Sequence, residues 1–423
     1  MSIIEQPLRT DVAVVGAGLA GLAAARLVQA QGHDVLVVDP SEPGGRGRTD
    51  LRGEVRFNRG PHALYLGGDA ERLLRQFGLP LHGGPPSGAG SGLVGDRIGS
   101  LPGTASQLAR TKLLSWRGKA AIASLMVRLP RVDASSLAST TFAQWLDGLD
   151  LPTDSRQLVE MLARVSSYTN APEVVSAELV VGMMQSAMRT GVRYLDGGWQ
   201  TLVDALADGL PVHRSTVTSV RRDGAHVVVE RAGTAPVVAR SVIVAAGGPE
   251  VTARLLGRSP FTVGPAAEAR CLDLATSAPA RPGLLLGVDT PLYLSNHCPP
   301  ARLAPDGTFV VHVARYLSDG DSTAPKEAHD ELTSFAARAG IDAQHVVDLR
   351  YLHRMTTVSA VAVAEHGGLR GRPSVDDSGE PGVFLAGDWV GPHGHLLDAV
   401  MASAEAAAAR AARFVEDATL VPR

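Results

Sequence analysis

The sequence predicts an α/β fold of two interleaved domains, one of them a nucleotide-binding domain assembled from both ends of the chain. Residues 10–39 read as strand, glycine turn, helix and strand, and residues 383–414 read as strand, glycine loop and helix. Both patterns are typical of a doubly wound, Rossmann-type sheet. At 423 residues the chain is too long for one ordinary core. We therefore expect a second, α+β domain between the two ends.

The first nucleotide-binding element begins with a short apolar strand. Residues 12–15 are all valine or alanine and end at Gly16, as a strand buried on both faces does. The segment Leu19–Ala30 is rich in alanine and leucine and is predicted to be helical. Residues 35–38 form a second apolar run that ends at Asp39.

The turn after the first strand carries the spacing Gly-x-Gly-x-x-Gly at Gly16, Gly18 and Gly21. Gly16 permits the tight turn, Gly18 lets the backbone approach a pyrophosphate, and Gly21 lets helix and strand pack closely. The helix N-terminus adds unpaired N–H groups and the positive end of the helix dipole. Asp39, at the end of the second strand, is placed to accept ribose hydroxyls. The glycine spacing alone is a weak signal, but in this context it predicts a dinucleotide site.

A second glycine turn, Gly44-Gly45-Arg46, follows shortly after Asp39. Two glycines free the backbone, and the arginine can pair with pyrophosphate oxygens through two parallel hydrogen bonds. Out of context, a surface turn with a solvated arginine would be the better interpretation. Directly after the acidic strand end, the motif favours FAD over NAD.

The rest of the chain is divided by its composition. Residues 40–105 hold many glycines and prolines, including the stretch 83–92, and are predicted to be loops. Residues 106–210 are predicted to be mostly helical, and residues 211–248 return to β character. Strand-like runs recur in 260–320, and 326–340 reads as a surface helix. The predicted FAD-binding domain comprises residues 1–85, 206–258 and 356–423, and the predicted substrate domain comprises a helical segment, 86–205, and a sheet-and-helix segment, 259–355.

Four stretches, in this order, resemble the flavin amine oxidase superfamily, which includes monoamine oxidases, protoporphyrinogen oxidases and phytoene desaturases. The first combines GAGLAGLAAARL, the acidic strand end and GGRGRT. The second, RFNRGPHALYL at 56–66, is similar to a phytoene desaturase-like segment. The others are GVRYLDGGWQTLVDALADGL at 191–210 and GVFLAGDWVGPHGHLLDAVMASAEAAAARAA at 382–412. Together they cover essentially the whole chain.

The resemblance implies non-covalent FAD and a set of residues that bind it. Those expected at the pyrophosphate are Gly16, Gly18, Gly21, Gly45 and Arg46. Asp39 is expected at the adenosine ribose, Val217 at the adenine through its backbone, and Gly387 with Asp388 near the ribityl or pyrophosphate oxygens. Leu396 and Leu397 are expected to present N–H groups to the pyrimidine end of the flavin, where a helix N-terminus stabilises the charge of a reduced flavin.

The catalytic side departs from the family pattern. Amine oxidases of this family often use a lysine near the flavin and an aromatic pair facing the substrate amine. Here Lys326 is the one lysine late enough in the chain, and it falls in the predicted surface helix. The loop His393-Gly394-His395 stands where the aromatic partner would fall.

Three histidines are therefore the catalytic candidates: His395, His393 and, after Gly60-Pro61, His62. Either they transfer protons, with a titration near the unperturbed pKa of about 6.5, or they line the pocket without transferring protons. Two histidine ligands do not make a metal site, so no metal is expected.

Two tryptophans and two cysteines also bear on the flavin site. Trp199 and Trp389 adjoin the predicted flavin-binding segments. Each either lines the expected substrate cavity or belongs to the hydrophobic core. Cys271 and Cys298 cannot build a disulfide framework and are interpreted as structural thiols in a reduced, cytoplasmic protein. Neither cysteine lies in the C-terminal motif, which favours non-covalent flavin.

The expected reaction is the two-electron oxidation, a desaturation, of a small and largely apolar substrate by hydride transfer to flavin N5. O2 or a quinone is the expected electron acceptor. The missing lysine and aromatic pair favour desaturation over amine oxidation to an imine, which is the alternative. A flavin-dependent isomerase and a non-catalytic flavoprotein remain open as well.

Charge and hydropathy limit the partners. A net charge of -3 gives no reason to expect nucleic acid. No run of about 20 residues is apolar enough to span a bilayer. The segment 112–131 mixes basic and apolar residues, but its charges do not gather on one helical face, which disfavours peripheral membrane contact. The acidic start of the N-terminal segment does not read as a secretory signal.

Overall fold

A computed structural model of the protein describes residues 6–86 and 90–420, which fold around two seven-stranded sheets. The first five residues and part of the stretch 83–92 lie outside the described residues. The strands are β1 (Leu8–Val15), β2 (Val35–Asp39), β3 (Thr49–Arg52), β4 (Val55–Asn58), β5 (Leu64–Tyr65), β6 (Gly83–Gly84), β7 (Ser91–Val94), β8 (Arg97–Ser100), β9 (Val192–Leu195), β10 (Val212–Arg214), β11 (Val217–Asp223), β12 (His226–Arg231), β13 (Thr234–Val244), β14 (Ala267–Thr276), β15 (Leu284–Gly287), β16 (Leu292–Asn296), β17 (Phe309–Tyr316), β18 (Val346–Val358) and β19 (Val383–Leu385).

The helices of the described residues connect these strands and cover the sheets. They are α1 (Leu19–Ala30), α2 (Asp69–Gln76), α3 (Ala105–Arg110), α4 (Trp116–Arg128), α5 (Phe142–Asp147), α6 (Thr153–Ser167), α7 (Ala177–Thr190), α8 (Gln200–Ala207), α9 (Pro249–Leu255), α10 (Pro325–Arg338) and α11 (Leu397–Leu420).

The first sheet draws its strands from three separate parts of the chain. Its order is β10-β2-β1-β13-β12-β11, and β19 pairs with β13. Strands β10, β2, β1, β13 and β19 run parallel, and β11, β12 and β13 form antiparallel pairs. The apolar strand residues Val12–Val15 are at most 2% exposed, because α1 and α11 contribute to the same core. The predicted assembly of this sheet from both chain ends is confirmed.

The second sheet, ordered β18-β14-β17-β16-β15-β7-β8, forms the other half of the molecule. On one face Val311 and Val313 of β17 pack with Leu332 and Phe335 of α10. The opposite face packs against the helices α4 to α7 and contributes to the cavity described below. The fold is therefore α/β with a second, α+β part, as predicted, while the domain boundaries stay a prediction.

One expectation from local patterns is wrong, and one strand was not anticipated. Residues 40–105 are not all loops: they contain the strands β3 to β8 and the helix α2. These strands have two to four residues, too few for an alternating pattern to stand out among glycines. The 13-residue strand β18 was not anticipated either, since most of its residues are only half-buried and its sequence mixes charged and apolar residues. The helical interpretation of 106–210 is confirmed apart from β9.

The helix α4 lies within the segment that mixes basic and apolar residues. Trp116, at its start, is 76% exposed, and Val127 is 62% exposed. None of the helices in the described part of the chain has both the length and the hydropathy to cross a membrane.

Candidate functional site

One continuous cavity of about 1650 Å³ is lined by residues of both sheets. It extends from the glycine turn after β1 to the C-terminus of α6 and the start of α11. Typical small-molecule pockets measure roughly 300–1,000 Å³, so this cavity has room for a larger ligand.

The first turn requires glycine at two of its three glycine positions and has open space at the third. Gly16 has a φ of 107°, and a Cβ there would lie 2.5 Å from Ala245 O. A Cβ on Gly21 would lie 1.9 Å from Gly16 O, so only glycine lets α1 pack against the turn. A Cβ on Gly18 would meet no atom within 4 Å, because this position faces the cavity. The backbone at Gly18 is thus open to a ligand.

Asp39 connects the end of β2 to the glycine turn. Its Oδ2 accepts a hydrogen bond from Ala17 N at 2.8 Å, and its Oδ1 accepts one from Ser41 N at 2.8 Å. The side chain lines the cavity. Each carboxylate oxygen has a second lone pair, so Asp39 remains able to accept a ribose hydroxyl.

Arg46 and Asp388 form a two-point ion pair on the cavity wall. Arg46 Nη1 lies 2.9 Å from Asp388 Oδ2, and Nη2 lies 2.9 Å from Oδ1. Ser359 N also donates to Oδ2, at 2.9 Å. The sequence suggested that the two residues contact the cofactor separately; the structure pairs them with each other. The Arg46 side chain remains 46% exposed, whereas that of Asp388 is 3% exposed.

The pair fixes the charge of Asp388. Burial by itself would raise the pKa of this carboxyl, but the charge of Arg46 and the hydrogen bonds from Arg46 and Ser359 lower it to about 2. Burial by itself would lower the pKa of Arg46, but the charge of Asp388 and the hydrogen bond to it together raise the pKa above its ordinary value. Both groups are therefore ionised at neutral pH.

The start of α11 offers backbone donors to the cavity. Leu396, with a left-handed φ of 51°, and Leu397 both line it. Within the described residues, neither of their N–H groups donates to a protein acceptor. Gly387, with a φ of 154°, and Val217, in β11, line the same cavity. All four residues thus lie at the cavity, and their contacts with a cofactor stay a prediction.

His395 lies buried beside this helix start. Its Nε2 is 2.8 Å from Ser167 O, and only 3% of the residue is exposed. Since a carbonyl oxygen only accepts, Nε2 carries the proton and Nδ1 carries a lone pair. Burial lowers the pKa of His395 to about 4, although the Ser167 carbonyl opposes the shift. The expectation of a titration near pH 6–7 is therefore wrong.

The C-terminus of α6 holds three rings at the cavity. Tyr65 Oη donates to Ser166 O at 2.8 Å, next to the carbonyl that holds His395. Tyr168, the residue after the helix, has a left-handed φ of 57°, which is unfavourable for a bulky side chain. Both tyrosines line the cavity. The sequence gave no signal for them, because the helix end and the strand that present them are more than 100 residues apart.

His62 and Trp199 form another part of the wall. Their rings meet edge to face at 4.6 Å. His62 Nδ1 lies 3.0 Å from Gly60 O, and burial lowers its pKa to about 4, so this imidazole is neutral as well. Trp389 does not line the cavity; it is 1% exposed and packs against Phe261 at 4.9 Å.

Other candidates lie away from the cavity. His393 is exposed, and only its backbone carbonyl has a role, accepting from Arg372 Nη2 at 3.0 Å. Lys326 is 92% exposed on α10, and within the described residues no lysine lines the cavity. Cys271 and Cys298 are both buried free thiols that do not line it.

The groups around the cavity fit an elongated cofactor with a central diphosphate. Gly18 leaves room for phosphates, and α1 begins there with no side-chain cap and no acidic residue in its first turn. The buried Trp199 Nε1 has no partner among the described residues and lines the cavity. At the far end, the free N–H groups of Leu396 and Leu397 suit an electron-accepting ring that gains negative charge.

Comparison with known proteins points to a flavin-containing family. The family model of flavin-containing amine oxidoreductases matches residues 19–278, more than half of the chain. A putative flavin-containing monoamine oxidase of Mycobacterium tuberculosis is 28% identical over 252 residues, 54% of this chain and 55% of that protein. The chain thus matches about half the length of this relative. A phytoene desaturase of Rhodobacter capsulatus is 53% identical over 49 residues, 11% of this chain and 9% of that protein.

Solved structures extend the likeness to the whole fold. Cyclohexylamine oxidase from Brevibacterium oxydans has a TM-score of 0.72 and 18% identity, with 96% of this chain and 99% of that chain covered. At this identity the likeness concerns the fold alone. The family match leads to one assignment: the chain belongs to the family of flavin-containing amine oxidoreductases.

Proposed function

We propose that the cofactor is FAD, held without a covalent bond, and that the enzyme desaturates a small, largely apolar substrate. The observation that carries the proposal is the continuity of the cavity. It connects the phosphate cradle at Gly18 with the aromatic pocket around Tyr168 and His395, a span that suits a dinucleotide and a substrate together. Non-covalent binding is supported by the two cysteines, which are buried and do not line the cavity.

When bound, the flavin supplies a two-electron acceptor for the hydride that leaves the substrate carbon. The chain's own residues provide the rest. Tyr65, Tyr168 and Trp199 give the substrate apolar walls and exclude water. The start of α11 directs N–H groups to the place where negative charge develops. We infer that His395, whose imidazole is neutral and lines the cavity, is the base that accepts the proton leaving the neighbouring substrate atom.

Desaturation is supported over amine oxidation because no lysine among the described residues lines the cavity. Oxidation of an amine to an imine is the second candidate, and the observation in its favour is the neutral imidazole of His395, which can accept an amine N–H. In either reaction, O2 or a quinone is the proposed acceptor that reoxidises the flavin.

The test is anaerobic stopped-flow mixing of the holoenzyme with amines, polyenes and partly saturated ring compounds, followed by flavin absorbance. Bleaching by a class of compounds identifies the oxidised bond. Steady-state turnover then distinguishes an oxidase or desaturase, which consumes one acceptor per product, from an isomerase, which consumes none. If no compound bleaches the flavin while a product still forms, the proposed oxidation is wrong.

A further inference from the structure

A buried arginine, Arg372, holds the loop that leads into α11. Only 8% of the residue is exposed. Its Nη1 donates a hydrogen bond to Asp388 O at 3.1 Å. Its Nη2 donates to His393 O and to Gly394 O, each at 3.0 Å. One guanidinium group therefore fixes both ends of the loop 388–395 from the side that faces away from the cavity.

The charge of Arg372 has no ion-pair partner in the described part of the chain, since its three acceptors are main-chain carbonyl oxygens. Two carboxylates act on it through their charge alone. Asp388 is already paired with Arg46, and the other, Glu178, accepts a hydrogen bond from Leu369 N. Burial lowers the pKa of Arg372 to about 10, although the charges of both carboxylates oppose the shift. At neutral pH this residue is therefore a buried cation that touches neutral groups.

The field of this cation reaches the cavity. Arg372 does not line the cavity itself, but after burial it is the charge of Arg372 that lowers the pKa of His395, which does. Leu396 and Leu397 follow directly and line the cavity as well. In an interior of low dielectric constant a charge acts more strongly than in water. The positive charge therefore acts on the place where the pyrimidine end of the flavin is proposed to lie.

One carboxyl group of the same wall acts in the opposite direction. Asp398, in the first turn of α11, lines the cavity, and its Oδ1 accepts a hydrogen bond from Ala70 N at 2.8 Å. Burial raises the pKa of this carboxyl, although the hydrogen bond from Ala70 opposes the shift. Asp398 is the same in every variant below, so differences between the variants report the charge of Arg372.

We propose, on the basis of the flavin cofactor proposed above, that Arg372 raises the reduction potential of the flavin by holding a positive charge behind its pyrimidine end. A flavin that takes up two electrons and one proton gains one negative charge. A fixed cation in a dry environment stabilises this charged form more than the neutral, oxidised form. The three carbonyl oxygens keep the guanidinium in place, so its effect is present before any substrate binds.

The test is the two-electron reduction potential of the bound flavin, measured at neutral pH without substrate, by equilibration with a reference dye. Arg372→Gln removes the charge and keeps an amide that can donate to the carbonyls. It is expected to disfavour reduction at least about tenfold, which is a shift of about 30 mV to lower potential. Arg372→Lys keeps the charge and is expected to stay within about threefold of the wild type. Arg370→Gln is the matched control, because this arginine is exposed and lies two residues earlier.

Sulfite provides a second measurement on the same variants. It adds to flavin N5 and leaves a negative charge on the ring, so a nearby cation strengthens its binding. Arg372→Gln is expected to weaken sulfite binding at least about tenfold, whereas Arg372→Lys and Arg370→Gln should change it little. Titration of the oxidised holoenzyme, followed by flavin absorbance, gives the dissociation constants.

A wild-type potential and a wild-type sulfite affinity in Arg372→Gln would overturn the proposal. An equal fall in Arg372→Gln and Arg372→Lys would overturn it too, because the contacts to the loop rather than the charge would then set the potential. If neither variant retains the flavin, Arg372 serves cofactor binding instead, and the proposal is wrong. The proposed desaturation fails separately, in the bleaching experiment, because the potential and the sulfite affinity are measured without substrate.

Discussion

Arg46 and Asp388 pair through two contacts of 2.9 Å, although 342 residues separate them in the chain. Each comes from a different flavin motif: Arg46 from the glycine turn after β2, and Asp388 from the segment after β19. The pair joins the N-terminal and C-terminal parts of the first sheet at the cavity wall. We therefore propose that the two residues act as a unit in cofactor binding.

The first prediction is that Arg46→Ala and Asp388→Ala each weaken FAD binding by roughly ten- to a hundredfold. The double variant should bind FAD with the same affinity as the weaker-binding of the two single variants. Removing either partner leaves the other without its bidentate contact, so the second removal has little left to disrupt. FAD affinity is measured by titration of apoprotein prepared at high bromide.

Arg302→Ala is the control for this cycle, because its ion pair with Asp196 lies at the surface with an arginine side chain that is 83% exposed. FAD affinity should be unchanged in it. Losses that multiply in the Arg46/Asp388 double variant would show that the two side chains contact the cofactor independently.

Two glycine substitutions of the same size should have opposite consequences. Gly18→Ala adds a methyl group that meets no protein atom but enters the space proposed for the phosphates, so folding is retained and FAD binding is lost. Gly21→Ala places the methyl group 1.9 Å from Gly16 O, so the turn cannot close and the protein is strongly destabilised. Thermal unfolding of the apoproteins, followed by FAD titration, separates the two effects. Normal FAD affinity in folded Gly18→Ala protein would place the phosphates elsewhere.

The purified protein is expected to be yellow and to release intact FAD when denatured by heat or acid. The reason is that both cysteines are buried, that neither lines the cavity, and that neither lies in the C-terminal segment 382–412. Chromatography of the supernatant identifies the flavin. Colour that stays with the precipitate would mean a covalent bond, and FMN in the supernatant would exclude a dinucleotide.

His395→Ala is expected to slow flavin reduction at saturating substrate at least about tenfold, with FAD content nearly unchanged, if Nδ1 accepts a proton during catalysis. With a pKa of about 4, the neutral base is present throughout the neutral range. The rate should therefore be flat above about pH 5 and fall only as the pH approaches 4. If the variant binds substrate more weakly but reduces its flavin at the wild-type limiting rate, His395 only lines the pocket. His62 is then the next candidate for the base.

The burial of His395 should also appear in the pH dependence of stability. Its pKa is about 4 in the folded protein, compared with 6.5 when exposed, so only the unfolded chain binds the proton between these values. The free energy of unfolding should fall by about 3 kcal/mol through this group as the pH drops from about 6.5 to 4. Urea unfolding at a series of pH values measures the slope, and His395→Phe should reduce it. An unchanged slope would show that the folded protein protonates this ring readily.

The fold class, α1 and the glycine turn follow from the sequence because the interactions that create them are local. The turn needs a positive φ at Gly16, and the close packing of α1 needs glycine at position 21. Because both positions lie within a few residues of each other, the glycine spacing in the sequence predicts the turn. The same is true of the apolar strands β1 and β2, whose burial on both faces demands an uninterrupted run of valine, leucine and alanine.

The cavity wall depends instead on contacts between distant segments. Nothing in the sequence near Tyr65 or Tyr168 indicates that the C-terminus of α6 brings both to the cavity, or that Ser167 O fixes the tautomer of His395. The protonation state of His395 could not be predicted from the sequence either. Its pKa is lowered by burial, and this burial arises only when the chain is packed. The sequence by itself determined which cofactor class the chain can hold. The tertiary structure decided which side chains face the substrate and in what protonation state, because burial and long-range pairing arise only when the two sheets come together.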